Sequence, residues 1–133
     1  MSLFENIFKE CFCVLFTKCV FCDIVNGEIP SVKIWEDEGH IAILDANPVT
    51  EGHTLLIPKE HYENIFELPD ELAAQMNIAC KKVAILLREK FNVNAVNILN
   101  ASGKAAQQSV FHIHYHIVPR RESDGLDLWF HGK

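Results

Sequence analysis

The sequence predicts an α+β fold, an antiparallel sheet covered by a helix. Three observations carry this. Strand-like segments come first, one long amphipathic segment follows over residues 69–91, and strand-like segments return after it. That order, unlike a regular β–α alternation, favours an antiparallel sheet. Within 69–91, Leu72, Met76, Ala79, Val83 and Leu86/Leu87 recur at steps of three and four, which draws one apolar stripe along a helix. From Phe111 to Val118 the chain alternates His with apolar or aromatic residues, the period of a strand with two unlike faces.

In chain order, residues 1–17 read as an N-terminal extension, helical because Phe4, Ile7, Phe8, Cys11, Val14 and Leu15 keep helical spacing. The body is expected over 18–133. Phe21 to Val25 forms a short helix stopped by Asn26-Gly27. Lys33–Glu36 and Ile41–Leu44 are two strands joined by the turn signal Asp37-Glu38-Gly39. Asp45 to Gly52 is a turn-rich loop, and His53 to Pro58 is a third strand whose apolar run predicts burial on both faces. Pro69-Asp70 opens the long helix, with acids in its first turn, and Asn92 stops it. Asn94 to Leu99 is a fourth strand and Phe111 to Val118 a fifth.

Composition bounds the function. The chain has 133 residues, 49% of them hydrophobic and 23% charged, which fits one folded domain and excludes pervasive disorder. A formal charge of −6 argues against a nucleic-acid polymer as partner, because its backbone recruits clustered cations. A small phosphorylated ligand needs only a few local donors. The five Cys, at 11, 13, 19, 22 and 80, are odd in number and unevenly spaced, which favours a reducing compartment over a disulfide framework. The most apolar run, from Cys11 to Cys22, contains Lys18 and is shorter than the roughly 20 residues of a membrane span. No signal-peptide pattern is present. The expectation is a cytoplasmic protein with no membrane contact.

The chemistry is concentrated in Phe111-His-Ile-His-Tyr-His-Ile-Val-Pro-Arg120. On a strand, His112, His114 and His116 share one face, while Phe111, Ile113, Tyr115 and Ile117 share the other and anchor in the core. Two chemistries need such a row. One is a zinc hydrolase with the three His as ligands. The other is nucleophilic attack by a neutral imidazole at phosphorus, with one ring nitrogen held by a partner and a second His supporting the charge. The loop Asn100-Ala-Ser-Gly-Lys-Ala-Ala-Gln-Gln-Ser-Val110 enters the row, and its amide N–H groups can cradle a phosphate.

This stretch resembles the histidine triad (HIT) nucleotide hydrolases and transferases, whose mark is His-x-His-x-His followed by two apolar residues. The block Asp45 to His61 and the opening Phe21 to Pro30 resemble the same family. The resemblance implies a HIT domain with five antiparallel strands, one long and one short helix, and a homodimer with a continuous ten-stranded sheet. The stripe of helix 69–91 and the following strand are the expected interface. It further implies cleavage at the α-phosphate of nucleoside phosphoramidates, adenylates or dinucleoside polyphosphates. A covalent nucleotidyl group on His114 is then hydrolysed to a nucleoside monophosphate, with a purine nucleotide as the expected ligand. His116 falls on the phosphate and leaving-group position, His53 on a supporting position, and His112 joins the catalytic set. Asp45 falls where the ribose hydroxyls are held, or is simply a turn residue before Asn47-Pro48. Phe21, Ile24 and Ile43 fall on the cleft for the base, or are plain core. Gln108 and Ser109 fall on the phosphate-side loop.

Two departures are visible. Ala101 stands where the family often has an amide; the neighbouring Asn100 is kept as a nucleotide-binding candidate although strand alternation turns it to the opposite face. Gln107 stands where the family usually has Gly, so the loop must either carry a side chain near the phosphate or take another backbone shape. Both keep open a non-catalytic nucleotide-binding module. Cys19-x-x-Cys22 has metal-ligand spacing, or is a pair of inert thiols. The closer resemblance is to the zinc-binding bacterial-type branch, which implies a structural zinc on Cys19, Cys22, His61 and His112 and no organic cofactor.

Overall fold

A computed structural model describes residues 19–132. The elements are α1 (Val20–Val25), β1 (Lys33–Glu36), β2 (His40–Leu44), β3 (Thr54–Pro58), α2 (Asp70–Phe91), β4 (Ala95–Leu99), a 3-10 turn (Lys104–Ala106) and β5 (Tyr115–Arg120). The strands form one antiparallel sheet in the order β1-β2-β3-β5-β4. The predicted α+β architecture is therefore present. The proposed helical extension at 1–17 lies outside the described residues. Among these residues no helix is long and apolar enough to cross a membrane.

Both faces of the sheet are covered. On one, Ala42, Leu56, Ile113 and Ile117 pack against Met76, Ala79, Cys80, Val83 and Leu87 of α2. On the other, Ile41, Ile43, Leu55 and Ile57 pack against Cys19, Phe21 and Cys22 around α1. This is why β3 is apolar from Leu55 to Pro58. Its side chains alternate between two cores, and all five residues are buried. Each fully buried aliphatic side chain of this kind contributes on the order of 1.5–3 kcal/mol. α2 carries Asp70 and Glu71 in its first turn and ends on Asn92 in the left-handed region at φ 52°, as its sequence predicts.

Two expectations need correction. The α2 stripe is not an exposed interface: Met76, Val83 and Leu87 are 0% exposed and Ala79 1% in the single chain, because the sheet itself consumes that face. On these two elements the large apolar residues left exposed are Ile78 and Ile85 of α2 and Ile98 and Leu99 of β4. The fifth strand starts at Tyr115, not Phe111. β3 ends at Pro58, and the β3–β5 ladder runs only from Leu56–Tyr115 to Thr54–Ile117. Before Tyr115 the chain is held by the Ile113 N–H donating to Tyr62 O at 2.7 Å, and Phe111 is 43% exposed instead of anchoring in the core.

The β2–β3 loop depends on Gly52. Its φ is +87°, and a Cβ there would sit 2.9 Å from the Phe91 ring at the end of α2. Any larger residue meets left-handed backbone strain and an aromatic wall together.

Candidate active site and metal centre

The row of three imidazoles divides into two sites. His112 and His114 lie just ahead of β5 and His116 within it. His114 and His116 stay together, with ring centroids 5.0 Å apart. His112 is fully buried and turns toward α1. Among the described residues, no metal-ligand grouping unites His112, His114 and His116. The three-His chelate of a zinc hydrolase is therefore not formed.

His114 is oriented by its own segment. Its Nδ1–H donates to His112 O at 2.9 Å, which leaves Nε2 as the nitrogen with the lone pair. The Phe21 ring stands edge-on to it at 4.9 Å. Burial is the main cause that lowers its pKa below the ordinary 6.5, so the ring is neutral at pH 7. Asn100 belongs to this arrangement. It lies just past the end of β4, and its Nδ2–H donates to the His114 main-chain O at 3.1 Å. Its Oδ1 accepts from Ser102 Oγ at 2.7 Å.

His116 and His53 form a pair. His53 Nε2 lies 2.9 Å from His116 Nδ1. The Val49 N–H donates to His53 Nδ1 at 3.2 Å, and Asp45 Oδ2 is 3.5 Å from His53 Nε2. Asp45 meets both readings of its position: Oδ1 accepts from the Asn47 N–H at 2.8 Å as a turn cap, while Oδ2 faces the pair. Desolvation lowers His53 and His116 below 6.5, Asp45 opposing it in both. The unfolded chain therefore binds protons first as pH falls. The stability these rings carry is complete above 6.5 and is lost as pH drops toward their folded values. The Tm of the wild type is expected to fall between about pH 7 and about pH 5 more steeply than that of a His53→Gln/His116→Gln double variant. Parallel slopes in calorimetry would contradict this.

Of the other candidates, Phe21 and Ile43 are 5% and 3% exposed, and Ile24 packs on their cluster. They are core and at the same time, through Phe21, the wall behind His114. Ser109 is exposed in the loop before His112. Gln108 is not available as a phosphate donor. Its Nε2–H groups donate to Glu63 O at 2.6 Å and Val110 O at 3.0 Å, and its Oε1 accepts from the Gly103 N–H at 2.7 Å. It braces the loop. Gln107 takes the left-handed backbone at φ 70°, ψ 29°, a conformation that suits glycine, and carries its side chain there at a strain of roughly 1–2 kcal/mol. The Val49 amide and the Pro58 carbonyl were not found by sequence reasoning, and no side-chain pattern marks a backbone atom.

The second site gathers Cys19, Cys22, His61 and His112. Cys19 Sγ lies 3.3 Å and Cys22 Sγ 3.6 Å from His112 Nδ1. Cys22 Sγ is 3.4 Å from His61 Nδ1, and the two Nδ1 atoms are 3.1 Å apart. A tetrahedral zinc, with bonds of about 2.3 Å to sulfur and about 2.0–2.1 Å to nitrogen, needs S–N edges of about 3.6 Å and an N–N edge of about 3.3 Å. The donor set fits. His112 Nε2–H donates to Pro58 O at 2.8 Å, which leaves Nδ1 as the lone-pair atom facing the thiols. Hydrogen bonding from Cys22 above all, with smaller help from His112 and His61, holds the Cys19 thiol far below its ordinary value against the effect of burial. Cys80, by contrast, is buried among apolar residues and its thiol is pushed up, the state of a packing residue.

The HIT domain family model matches residues 26–123. Protein hit of Bacillus subtilis is 52% identical over 102 residues, covering 77% of this chain and 70% of that one. The crystal structure of a zinc-bound histidine triad family protein from Mycobacterium smegmatis has a TM-score of 0.79 at 46% identity, covering 84% of this chain and 81% of that one. Adenylylsulfatase HINT3 of Arabidopsis thaliana is 42% identical over 111 residues, 81% of this chain but 55% of its own length. The antiparallel α+β domain is that of a histidine triad protein, and the chain belongs to the HIT domain family.

Proposed function

We propose that the protein is a nucleotide hydrolase or transferase acting at the α-phosphate of nucleoside phosphoramidates, adenylates or dinucleoside polyphosphates. The observation that carries it is the His114 Nδ1–H···O=C bond to His112, which leaves Nε2 unprotonated with its lone pair free to react. That nitrogen attacks the α-phosphorus, the bond from phosphorus to the leaving group breaks, and a nucleotidyl-histidine forms. Water then displaces His114 and releases a nucleoside monophosphate. His116 hydrogen-bonds the phosphate and leaving group, and His53 supports it. Asp45 takes the ribose hydroxyls, Phe21, Ile24 and Ile43 shape the cleft for the base, and Ser109 offers a hydroxyl to the phosphate. The relative named as an adenylylsulfatase supports α-phosphate chemistry of this class. The test is incubation with a fluorogenic adenosine phosphoramidate, followed by mass analysis. An acid-labile AMP adduct on His114 is expected. Ligand binding without turnover or adduct would leave a non-catalytic nucleotide-binding module.

Cys19, Cys22, His61 and His112 would hold a structural zinc, which when bound closes a four-coordinate site and supplies no catalytic position. The zinc-bound relative supports this.

The same reading includes a homodimer. β4 is an edge strand with exposed Ile98 and Leu99, and an unpaired apolar edge invites a second copy. Joined at β4, two sheets make ten strands. An Ile98→Glu/Leu99→Glu variant is expected to sediment as a monomer while the wild type sediments as a dimer; a monomeric wild type refutes the pairing.

A further inference from the structure

Asp45, His53 and His116 bring three donor atoms within 4.8 Å of one another, a grouping that could hold a cation. The Val49 amide decides against that. A backbone N–H can only donate, and it points at His53 Nδ1 from 3.2 Å. A metal on His53 Nε2 requires the ring proton on Nδ1, where it would face the Val49 N–H. With Nδ1 accepting, the neutral His53 carries its proton on Nε2. That proton has His116 Nδ1 as acceptor at 2.9 Å, with Asp45 Oδ2 at 3.5 Å on the same side. His116 must then accept at Nδ1 and carry its own proton on Nε2, the only other hydrogen-bonding atom of the ring.

We propose that the Val49 backbone amide is a positioning group: through His53 it fixes the tautomer of His116, so that the ring meets an anionic phosphate as a donor. The inference rests on the reading of the site as one for α-phosphate chemistry. With the opposite polarity, His116 Nε2 would turn a lone pair toward phosphate oxygen and repel it. Val49 itself is 50% exposed, so its side chain is not what the position requires. The main-chain N–H is.

Long-range ¹⁵N–¹H NMR of histidine-labelled protein at pH 8 reads each ring's tautomer directly. His53 and His116 are both expected in the Nε2–H form; His116 in the Nδ1–H form overturns the proposal. Val49→Pro deletes the amide hydrogen, and Val49→Ala keeps it. The Ala variant is expected to retain both tautomer signatures. In the Pro variant they become mixed, and kcat for the phosphoramidate falls in proportion to the share of the Nε2–H form that is lost. If the Pro variant does not fold, the wild-type spectrum alone decides. A second equivalent of zinc added to zinc-loaded protein is expected to leave the His53 and His116 nitrogens unshifted; binding there refutes the inference. Both rings as expected but no adduct on His114 rejects the proposed function and leaves this inference standing. An adduct with His116 in the other tautomer does the reverse.

Discussion

His114→Asn is expected to lower turnover of an adenosine phosphoramidate by roughly 10⁴-fold or more and to abolish the nucleotidyl adduct, while ligand affinity changes little. The size follows from the role. The nucleophile is the group whose bond to phosphorus defines the pathway, and its removal leaves only the binding contribution. His114 is 6% exposed, held at Nδ1 by His112 O and at its own carbonyl by Asn100. An Asn fills part of the space without supplying a nitrogen lone pair. The comparison with His116→Asn matters. A supporting donor is worth about 10²–10³-fold, and that variant should still form the adduct, slowly. Adduct formation on the His114→Asn protein, or equal losses in both variants with adduct on neither, would remove His114 from its assigned role.

The second large effect is expected at the Cys/His centre. Protein expressed with ample metal should carry one zinc per chain, and Cys19→Ser/Cys22→Ser should carry almost none. Loss of a closed site that ties α1 to the β3–α2 loop and to the segment ahead of β5 is expected to cost about 3 kcal/mol or more, a fall in Tm of about 10 °C. Activity should fall with it. His112 offers its imidazole to the Cys/His cluster and its carbonyl to His114 Nδ1, so a loosened His112 lets the nucleophile's ring turn. Metal analysis well below one zinc per chain in the replete wild type would refute the site. An unchanged Tm in the double variant would show that the thiols merely pack.

Much of this was legible in the residues. The two periods, 3.6 through α2 and 2 through the His row, gave the class, and the apolar run from Leu55 to Pro58 gave burial on both faces. The Asp37-Glu38-Gly39 turn and the Asn92 stop are local chemistry and were readable as such. The pairing of Cys19, Cys22, His61 and His112 was reached through a resemblance, not through spacing, since those residues lie up to 93 positions apart. Two departures from the residue pattern have separate causes: strand alternation stops short of Phe111, where no ladder neighbour imposes it, and the apolar stripe of α2 is covered by the chain's own sheet.

What the sequence by itself determined is therefore local: which segments are helix or strand, and which residue types are chemically able to bind metal or attack phosphorus. Tertiary structure alone decided how the imidazoles are divided, which nitrogen of each carries its proton, and that Gln108 braces a loop. The physical reason is that periodicity and turn chemistry are written in near neighbours, whereas a tautomer is chosen by whatever distant backbone atom arrives opposite the ring. Here those atoms are the Pro58 and His112 carbonyls and the Val49 amide, and every residue except proline presents the same N–H and C=O.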